Sequence, residues 1–382
     1  MRITNVVQYY HPGIGGAVRF IRKTGSILSE RGHSVHVLTT TALDNRSFLS
    51  LRQGQRVPAG IEEDDGCVVR RIRPLVLPKI QSLVPYIRPG PNIPHATYRA
   101  LETSPDIIHV HCLPYAHITW SGIASRLGKI PLLVTPDIKQ GMGIHPEVAS
   151  CLRHADGLAV RSKWESKYLG RAYGILNERT TEVGMGVDLD IFGGSGKADL
   201  EIPEGRIIFF AGRLTREKGF GDLVNSLSLL EEDIKLVVAG AITGYAEDVI
   251  RRAEEGVRTR VILLGPIYDD NRLASLYRCA DVVAYPSEDD SFGAVIIEAW
   301  AAGKPVVACR VGGPGYLISH WNDGLFSAFG NPGDLAEKLD TVISEKKLAA
   351  KLASRGHRKA KMYTWSRCTN RLQAAYESVL RR

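Results

Sequence analysis

The sequence predicts two consecutive doubly wound α/β domains. Short apolar runs alternate with helix-period segments, the alternation halts at a Gly-rich stretch over 192–205, and it then restarts with the same rhythm. The length of 382 residues suits two domains. Repeated strand–helix–strand units demand right-handed crossovers and parallel sheets covered on both faces. Such sheets bind ligands outside the carboxyl ends of their strands. The expected architecture is two facing domains with a cleft between them.

In chain order, residues 3–8, 34–40, 107–111, 132–135 and 157–160 are short apolar runs that fit buried parallel strands. Residues 16–31, 117–127 and 163–171 carry the helical period between them. The six prolines at 74, 78, 85, 89, 91 and 94 exclude a regular helix and predict an irregular loop. After the Gly-rich linker, strands are predicted over 207–211, 234–239, 261–264, 282–285 and 305–308. Helices are predicted over 219–230, 245–256, 271–279 and 294–301, and the tail reads as helices over 332–344, 345–362 and 366–380. The domains divide as 1–190, 191–364 and a terminal helix within 365–382.

Composition excludes several classes. The six cysteines, at 67, 112, 151, 279, 309 and 368, show no C-x2-C pair and suit a reducing compartment rather than a disulfide scaffold. No run approaches the ~18 apolar residues of a membrane span. The first residues do not read as a signal peptide, so the expected location is cytoplasmic. Charge is unevenly spread: residues 1–186 hold 23 basic and 14 acidic groups, 187–345 hold 15 and 26, and 346–382 hold 11 and 1. The basic parts can attract an acidic acceptor or the anionic inner face of a membrane as a peripheral contact. No zinc finger, basic zipper or RNA-recognition signature is present, so nucleic acid is not an expected partner.

The segment 285–308, YPSEDDSFGAVIIEAWAAGKPVVA, carries the densest chemistry. An apolar strand ends at Pro286, an acidic turn follows, and a helix is expected to start near Ser291, a fair N-cap. Free N–H groups at that start, over Ser291, Phe292, Gly293 and Ala294, suit an anion. Glu298 follows Asp290 by eight residues, so both carboxylates can face one cleft. His109 and His111 alternate at a strand end, and they are expected on opposite faces, with His111 toward the ligand.

This segment resembles the Glu-x7-Glu signature of glycosyltransferase family 4, whose members have the GT-B fold of two facing Rossmann-like domains. AGRLTREKGFGDLV at 211–224 resembles the family's Gly-Arg-x4-Lys-Gly element, and GIGGAVRFI at 13–21 its N-terminal Gly-Gly loop. EVGMGVDLDIF at 182–192, VGGPGYLI at 311–318 and WNDGLFSAFGNPGDLAEKL at 321–339 are similar to its linker, Gly-Gly and Asn-Gly elements.

The resemblance implies a retaining, metal-independent glycosyltransferase of hexosyltransferase type, without cofactor, using a UDP- or GDP-linked sugar. The acceptor would be a hydroxyl of a glycan or lipid-linked saccharide. Arg213 and Lys218 would bind the donor diphosphate, together with Gly15, Gly16 and the 291–294 backbone. Glu298 would hold the ribose. Residues 1–190 would bind the acceptor and 191–364 the nucleotide sugar, and the final helix would cross back to the first domain. No metal-ligand spacing occurs.

The sequence departs from the family pattern at Asp290, where Glu is usual, which sets the carboxylate back by about 1.5 Å. It departs again at Asp137, where a His thought to touch the transferred sugar is usual, and at Gly184-Met185, where Pro-Asn is usual. Asp290, Asp137 and His111 are the candidate catalytic side chains. The alternatives are a sugar-nucleotide epimerase of similar fold, a phosphorylase, and a non-catalytic nucleotide-sugar-binding subunit. A phosphorylase would need a pyridoxal-binding Lys site, and no such motif is found. A dehydrogenase is disfavoured, because no G-x-G-x-x-G follows the first strand.

Overall fold

The computed structural model describes residues 1–44, 47, 54–73, 102–113, 115, 117–139, 141–144, 146–194 and 205–381. The Pro-rich loop expected over 74–94 and most of the Gly-rich linker lie outside them. The chain divides into two compact units: Met1–Gly184 with Trp365–Arg382, and Met185–Thr364.

The first unit contains β1 (Arg2–Val6), α1 (Gly16–Glu30), β2 (Ser34–Thr40), β3 (Gly60–Asp64), β4 (Cys67–Ile72) and β5 (Ile107–His111). It continues with α2 (His117–Gly128), β6 (Leu132–Thr135), α3 (Pro146–His154), β7 (Gly157–Val160), α4 (Lys163–Tyr173) and β8 (Thr180–Glu182). The sheet order is β3-β4-β2-β1-β5-β6-β7-β8. Every neighbouring pair is parallel except β3 and β4.

That antiparallel pair is a departure from the sequence reading, which left 60–72 unassigned. Its signal was present: Asp65 and Gly66 have φ of 47° and 74°, the mirror-image turn that an Asp-Gly pair favours in a two-residue hairpin. Arg22 of α1 clamps the hairpin through Asp64, with nitrogen–oxygen distances of 3.0 and 3.1 Å.

Strands β5 to β7 are buried along their whole length, which is why they read as short, mainly apolar runs without a polar alternation. Val6, Val110, Val134 and Leu158 of successive strands form the core with Leu152 and Leu169 from the helices.

The second unit contains α5 (Leu189–Phe192), β9 (Arg206–Ala211), α6 (Phe220–Ser226), β10 (Ile234–Ala239), α7 (Gly244–Arg252), α8 (Glu255–Arg258), β11 (Val261–Leu263) and α9 (Asp270–Cys279). It continues with β12 (Val282–Tyr285), α10 (Ala294–Ala301), β13 (Val306–Cys309), α11 (Pro314–Leu317), β14 (Leu325–Ser327), α12 (Pro332–Ser344) and α13 (Lys346–Ala360). Its sheet, all parallel, runs β11-β10-β9-β12-β13-β14. Ile208, Phe210, Leu236, Val238 and Val282 pack against Leu223, Leu335 and Leu339 of the covering helices.

The last helix, α14 (Trp365–Leu380), belongs to the first unit. Its Cys368 donates to the Val183 carbonyl at 3.3 Å, and its Tyr376 hydroxyl lies 2.7 Å from His109 Nδ1.

In each sheet the strand order reverses direction at one place. In the first unit this lies between β1 and β5, and in the second between β9 and β12. Loops diverge there and leave room for a ligand at the carboxyl ends of the strands.

Candidate functional site

At the reversal in the second unit, the loop after β9 meets the loop after β12. The first loop closes a tight turn over Arg216–Lys218 and then passes through Gly219 at φ 71°. A Cβ at Gly219 would stand 2.0 Å from the Pro286 carbonyl oxygen, so only glycine allows the loops to touch. The Glu288 N–H donates to the Glu217 carbonyl at 2.8 Å and locks the contact.

Lys218 is thereby aimed along the strand ends. Its Nζ lies 2.8 Å from Asp290 Oδ2, and 3.4 Å from both the Tyr285 hydroxyl and the Ser287 hydroxyl. Asp290 Oδ1 accepts the N–H groups of Phe292 at 3.1 Å and Gly293 at 3.0 Å, and the Tyr285 hydroxyl donates to Oδ2. Burial alone would raise the Asp290 carboxyl. The Lys218 ion pair and the hydrogen bonds outweigh it and hold the group well below the usual carboxylate range. Burial and the same carboxylate push the Tyr285 hydroxyl far up, so it stays a donor.

The helix start differs from the sequence reading. Gly293, at φ 89°, occupies the N-cap position, and α10 begins at Ala294. Ser291 is not the cap. No side-chain oxygen caps α10; the short Asp290 side chain instead accepts the N–H groups of Phe292 and Gly293, just before the helix begins. The first intrahelical bond runs from Ile296 to the Gly293 carbonyl, and the N–H groups of Ala294 and Val295 precede it.

Glu298 is only 6% exposed, and its Oε2 accepts from the Tyr277 hydroxyl at 2.7 Å. Arg213 is exposed, and its Nη2 lies 3.7 Å from Glu217 Oε1.

In the first unit, Gly15 and Gly16 open α1. Gly15 is extended, an added Cβ there meets only the Tyr9 side chain, no nearer than 3.4 Å, and one on Gly16 meets nothing within 4 Å. The fold therefore does not demand glycine at either position. Gly13 is different, since its Cβ would lie 2.4 Å from the Leu43 carbonyl.

His111 is fully buried, with Nε2 2.9 Å from Asn5 Oδ1. Burial, reinforced by His109 and Arg161, keeps it well below its ordinary 6.5 and hence neutral. The expectation of opposite faces fails: the His109 and His111 rings lie 3.9 Å apart. Residues two apart on a strand share a face.

Asp137 follows β6 at φ 50°, in the left-handed region. Its Oδ1 receives Arg161 Nε at 2.6 Å and its Oδ2 receives Nη2 at 3.3 Å. Arg161, the residue after β7, escaped the sequence reading. Its signal was a lone cation placed directly after an apolar strand. Tyr277 and Tyr285 escaped because hydroxyls inside apolar segments read as core. Among the described residues, no group of three or more His, Cys, Asp or Glu side chains could hold a metal ion.

Two family models match the chain: the glycosyl transferase 4-like domain over residues 15–186, and glycosyl transferases group 1 over 196–359. A D-inositol 3-phosphate glycosyltransferase of Xylanimonas cellulosilytica is 29% identical, over 72% of this chain and 73% of its own. One from Jonesia denitrificans is 27% identical, over 95% and 91%. Among solved structures, sucrose-phosphate synthase from Thermosynechococcus elongatus superposes with a TM-score of 0.78 at 20% identity, covering 98% of both chains. Anabaena HepE in complex with UDP-glucose gives 0.74 at 20% identity, covering 99% of this chain and 100% of its own. These likenesses identify the two doubly wound units as those of the GT-B fold.

Proposed function

The chain belongs to glycosyltransferase family 4, and on that premise we propose that it is a retaining hexosyltransferase. It would move a sugar from a UDP- or GDP-linked donor to a hydroxyl acceptor. The observation that carries this reading is the convergence of Lys218 with the open start of α10 at the strand reversal of the second unit. Two cations, Lys218 and Arg213, and the N–H groups of Ala294 and Val295 would supply what a departing diphosphate needs. Negative charge develops on the leaving phosphate as the bond from the anomeric carbon to its oxygen breaks. Preorganised donors lower the barrier there. The acceptor oxygen bonds to the anomeric carbon on the same face, and its proton passes to a leaving phosphate oxygen. Glu298, braced by Tyr277, accepts from the ribose hydroxyls.

The acceptor assignment rests on the first unit. Gly15 and Gly16, which the fold does not demand, would let that backbone approach the donor. A glycan or lipid-linked saccharide fits the family. The relatives are named for inositol 3-phosphate, a second hydroxyl acceptor class. Residues 346–376 hold nine Lys or Arg and no carboxylate, which supports peripheral contact with an anionic membrane face. Among the described residues, no helix is long and apolar enough to cross a membrane.

The test is donor hydrolysis and transfer by the purified chain against a panel of UDP- and GDP-sugars, with and without chelator. The expected result is nucleoside diphosphate release from one base class, unaffected by chelation, with product of unchanged anomeric configuration. No release from any donor would overturn the reading. Inversion would overturn the retaining mechanism, and loss with chelator the metal-free one.

A further inference from the structure

Helix α13 of the second unit carries more positive charge than its fold uses. Lys346 lies 3.7 Å from Asp281, Lys359 donates to Asp323 Oδ2 at 3.0 Å, and Arg355 donates to the Asn322 side chain. Lys347, Lys351, Arg358 and Lys361 are exposed, and among the described residues none of them makes an ion pair. With Ser354 they follow a spacing of four and three, which sets them in one row along the outer face. The row spans about 21 Å at the rise of a helix. Residues 346–376 hold no carboxylate to interleave with it. Local rules oppose this pattern. Like charges three and four apart destabilise a helix. Lys346 and Lys347 open α13, where the helix dipole disfavours cations. A row kept against the stability of its own helix is expected where it meets a partner.

The flank of the row holds a second departure. Trp321, in the loop between α11 and β14, has φ 61° and is 47% exposed. A bulky residue in the left-handed region is an outlier, and such strain is kept where the surroundings over-determine it. The next two residues, Asn322 and Asp323, are the ones that Arg355 and Lys359 hold. Trp321 is thereby pinned at the flank of the row, with the His320 ring centroid 5.5 Å from its own. At the far end of the row Met362, 53% exposed, follows Lys361. The chain then reaches the donor side of the unit, where the Tyr363 and Phe292 ring centroids are 5.7 Å apart.

We propose that the row Lys347, Lys351, Arg358 and Lys361, with Trp321 at its flank, is the face by which the second unit docks on an anionic lipid bilayer. The inference rests on the peripheral membrane contact proposed above and assigns it a surface. The cations meet the headgroups, where each adds to the binding. The indole sits at headgroup depth, the zone in which tryptophan concentrates. A soluble polyanion would need the row but not the exposed indole. Because the row ends beside Tyr363 and Phe292, docking holds the donor side of the unit close to the lipid.

The experiment is flotation of the full chain with phosphatidylcholine vesicles, with and without phosphatidylglycerol, at low and high salt. Calorimetry with UDP and GDP runs in parallel without lipid. Wild type is expected to float with the anionic vesicles only and to be released by salt. Lys347→Gln, Lys351→Gln, Arg358→Gln and Lys361→Gln combined keep a good helix former at each position. That variant should lose about 100-fold or more of its affinity for anionic vesicles, with nucleotide affinity unchanged. Trp321→Gly should bind them about tenfold more weakly, yet melt no lower than wild type, because glycine is at ease at φ 61°. Brominated lipid should quench the tryptophan emission of wild type, and Trp321→Phe should remove most of that quenching. No flotation of wild type, or unchanged flotation of the fourfold variant, would overturn the proposal. Full binding by Trp321→Gly with quenching retained in Trp321→Phe would make the row a site for soluble polyanions and overturn the bilayer face. Absent UDP and GDP binding alongside salt-sensitive flotation through the row would instead count against the donor assignment and leave the docking face standing.

Discussion

Lys218 Nζ stands 2.8 Å from Asp290 Oδ2, and the other oxygen of the same carboxylate takes the Phe292 and Gly293 N–H groups. One side chain of the protein therefore occupies the cation and the N–H groups beside the helix start, both part of the proposed diphosphate site. The side chain is Asp where the resemblance has Glu.

Competition between Asp290 and the diphosphate is the first consequence. Lys218→Ala should weaken binding of a bare nucleoside diphosphate about 10- to 100-fold. Asp290→Asn keeps an oxygen on the two N–H groups but frees the lysine, so binding of the bare nucleotide should tighten several-fold. Isothermal calorimetry on both variants decides the matter. Weaker binding after Asp290→Asn would show the carboxylate to be part of the cradle rather than its competitor.

Ribose recognition can be tested through the tyrosine behind Glu298. Because the Tyr277 hydroxyl donates to Glu298 Oε2 at 2.7 Å, Tyr277→Phe leaves the carboxylate less well oriented. Glu298→Gln should cut the preference for UDP over its 2′,3′-dideoxy analogue about tenfold or more, and Tyr277→Phe should cut it less. Equal preference in wild type and Glu298→Gln would remove Glu298 from the site.

Glu165 gives a pH test. Burial, then the charge of Asp137, push its carboxyl from 4.5 up to about 8. The folded chain thus keeps a proton that the unfolded chain has already lost. Stability from this group is complete below its unfolded pKa of 4.5 and is lost as pH rises through about 8. Glu165→Gln cannot titrate, so its stability relative to wild type should rise between about pH 5 and pH 8. Urea unfolding of both proteins at several pH values measures it, and a constant difference would refute the assignment.

Packing in the second unit turns on Gly356. A Cβ there would lie 2.2 Å from Trp300 Cδ1, between α13 and α10. Trp300 is fully buried, and its Nε1 donates to the Asp323 carbonyl at 2.8 Å, so the indole cannot yield. Gly356→Ala should destabilise the chain by about 1–3 kcal/mol despite the better helix propensity of alanine. A denaturant midpoint equal to or above wild type would contradict this packing.

Reading the sequence reached most buried strands to within a residue or two, because each is a short apolar run bounded by polar loops. It missed the β3–β4 hairpin, whose strands Gly60–Asp64 and Cys67–Ile72 are charged and partly exposed, so only the Asp-Gly turn marked them. It placed the α10 start at Ser291 because hydroxyl caps are common. The helix instead starts later, from Gly293 in the left-handed region, without a side-chain cap, and the Gly313 N–H holds the Asp290 carbonyl at 2.8 Å.

Sequence alone therefore determined the two doubly wound units, their order and the residue types proposed to meet a nucleotide sugar, since periodicity and motif spacing are local properties. Only the tertiary structure decided which of those residues are free to act. His111 is fully buried against Phe20, Asp137 is tied to an arginine 24 positions away, and Asp290 is turned onto Lys218, 72 positions away. Burial and hydrogen-bond partnership arise from segments distant in the chain, and no local pattern encodes which partner arrives.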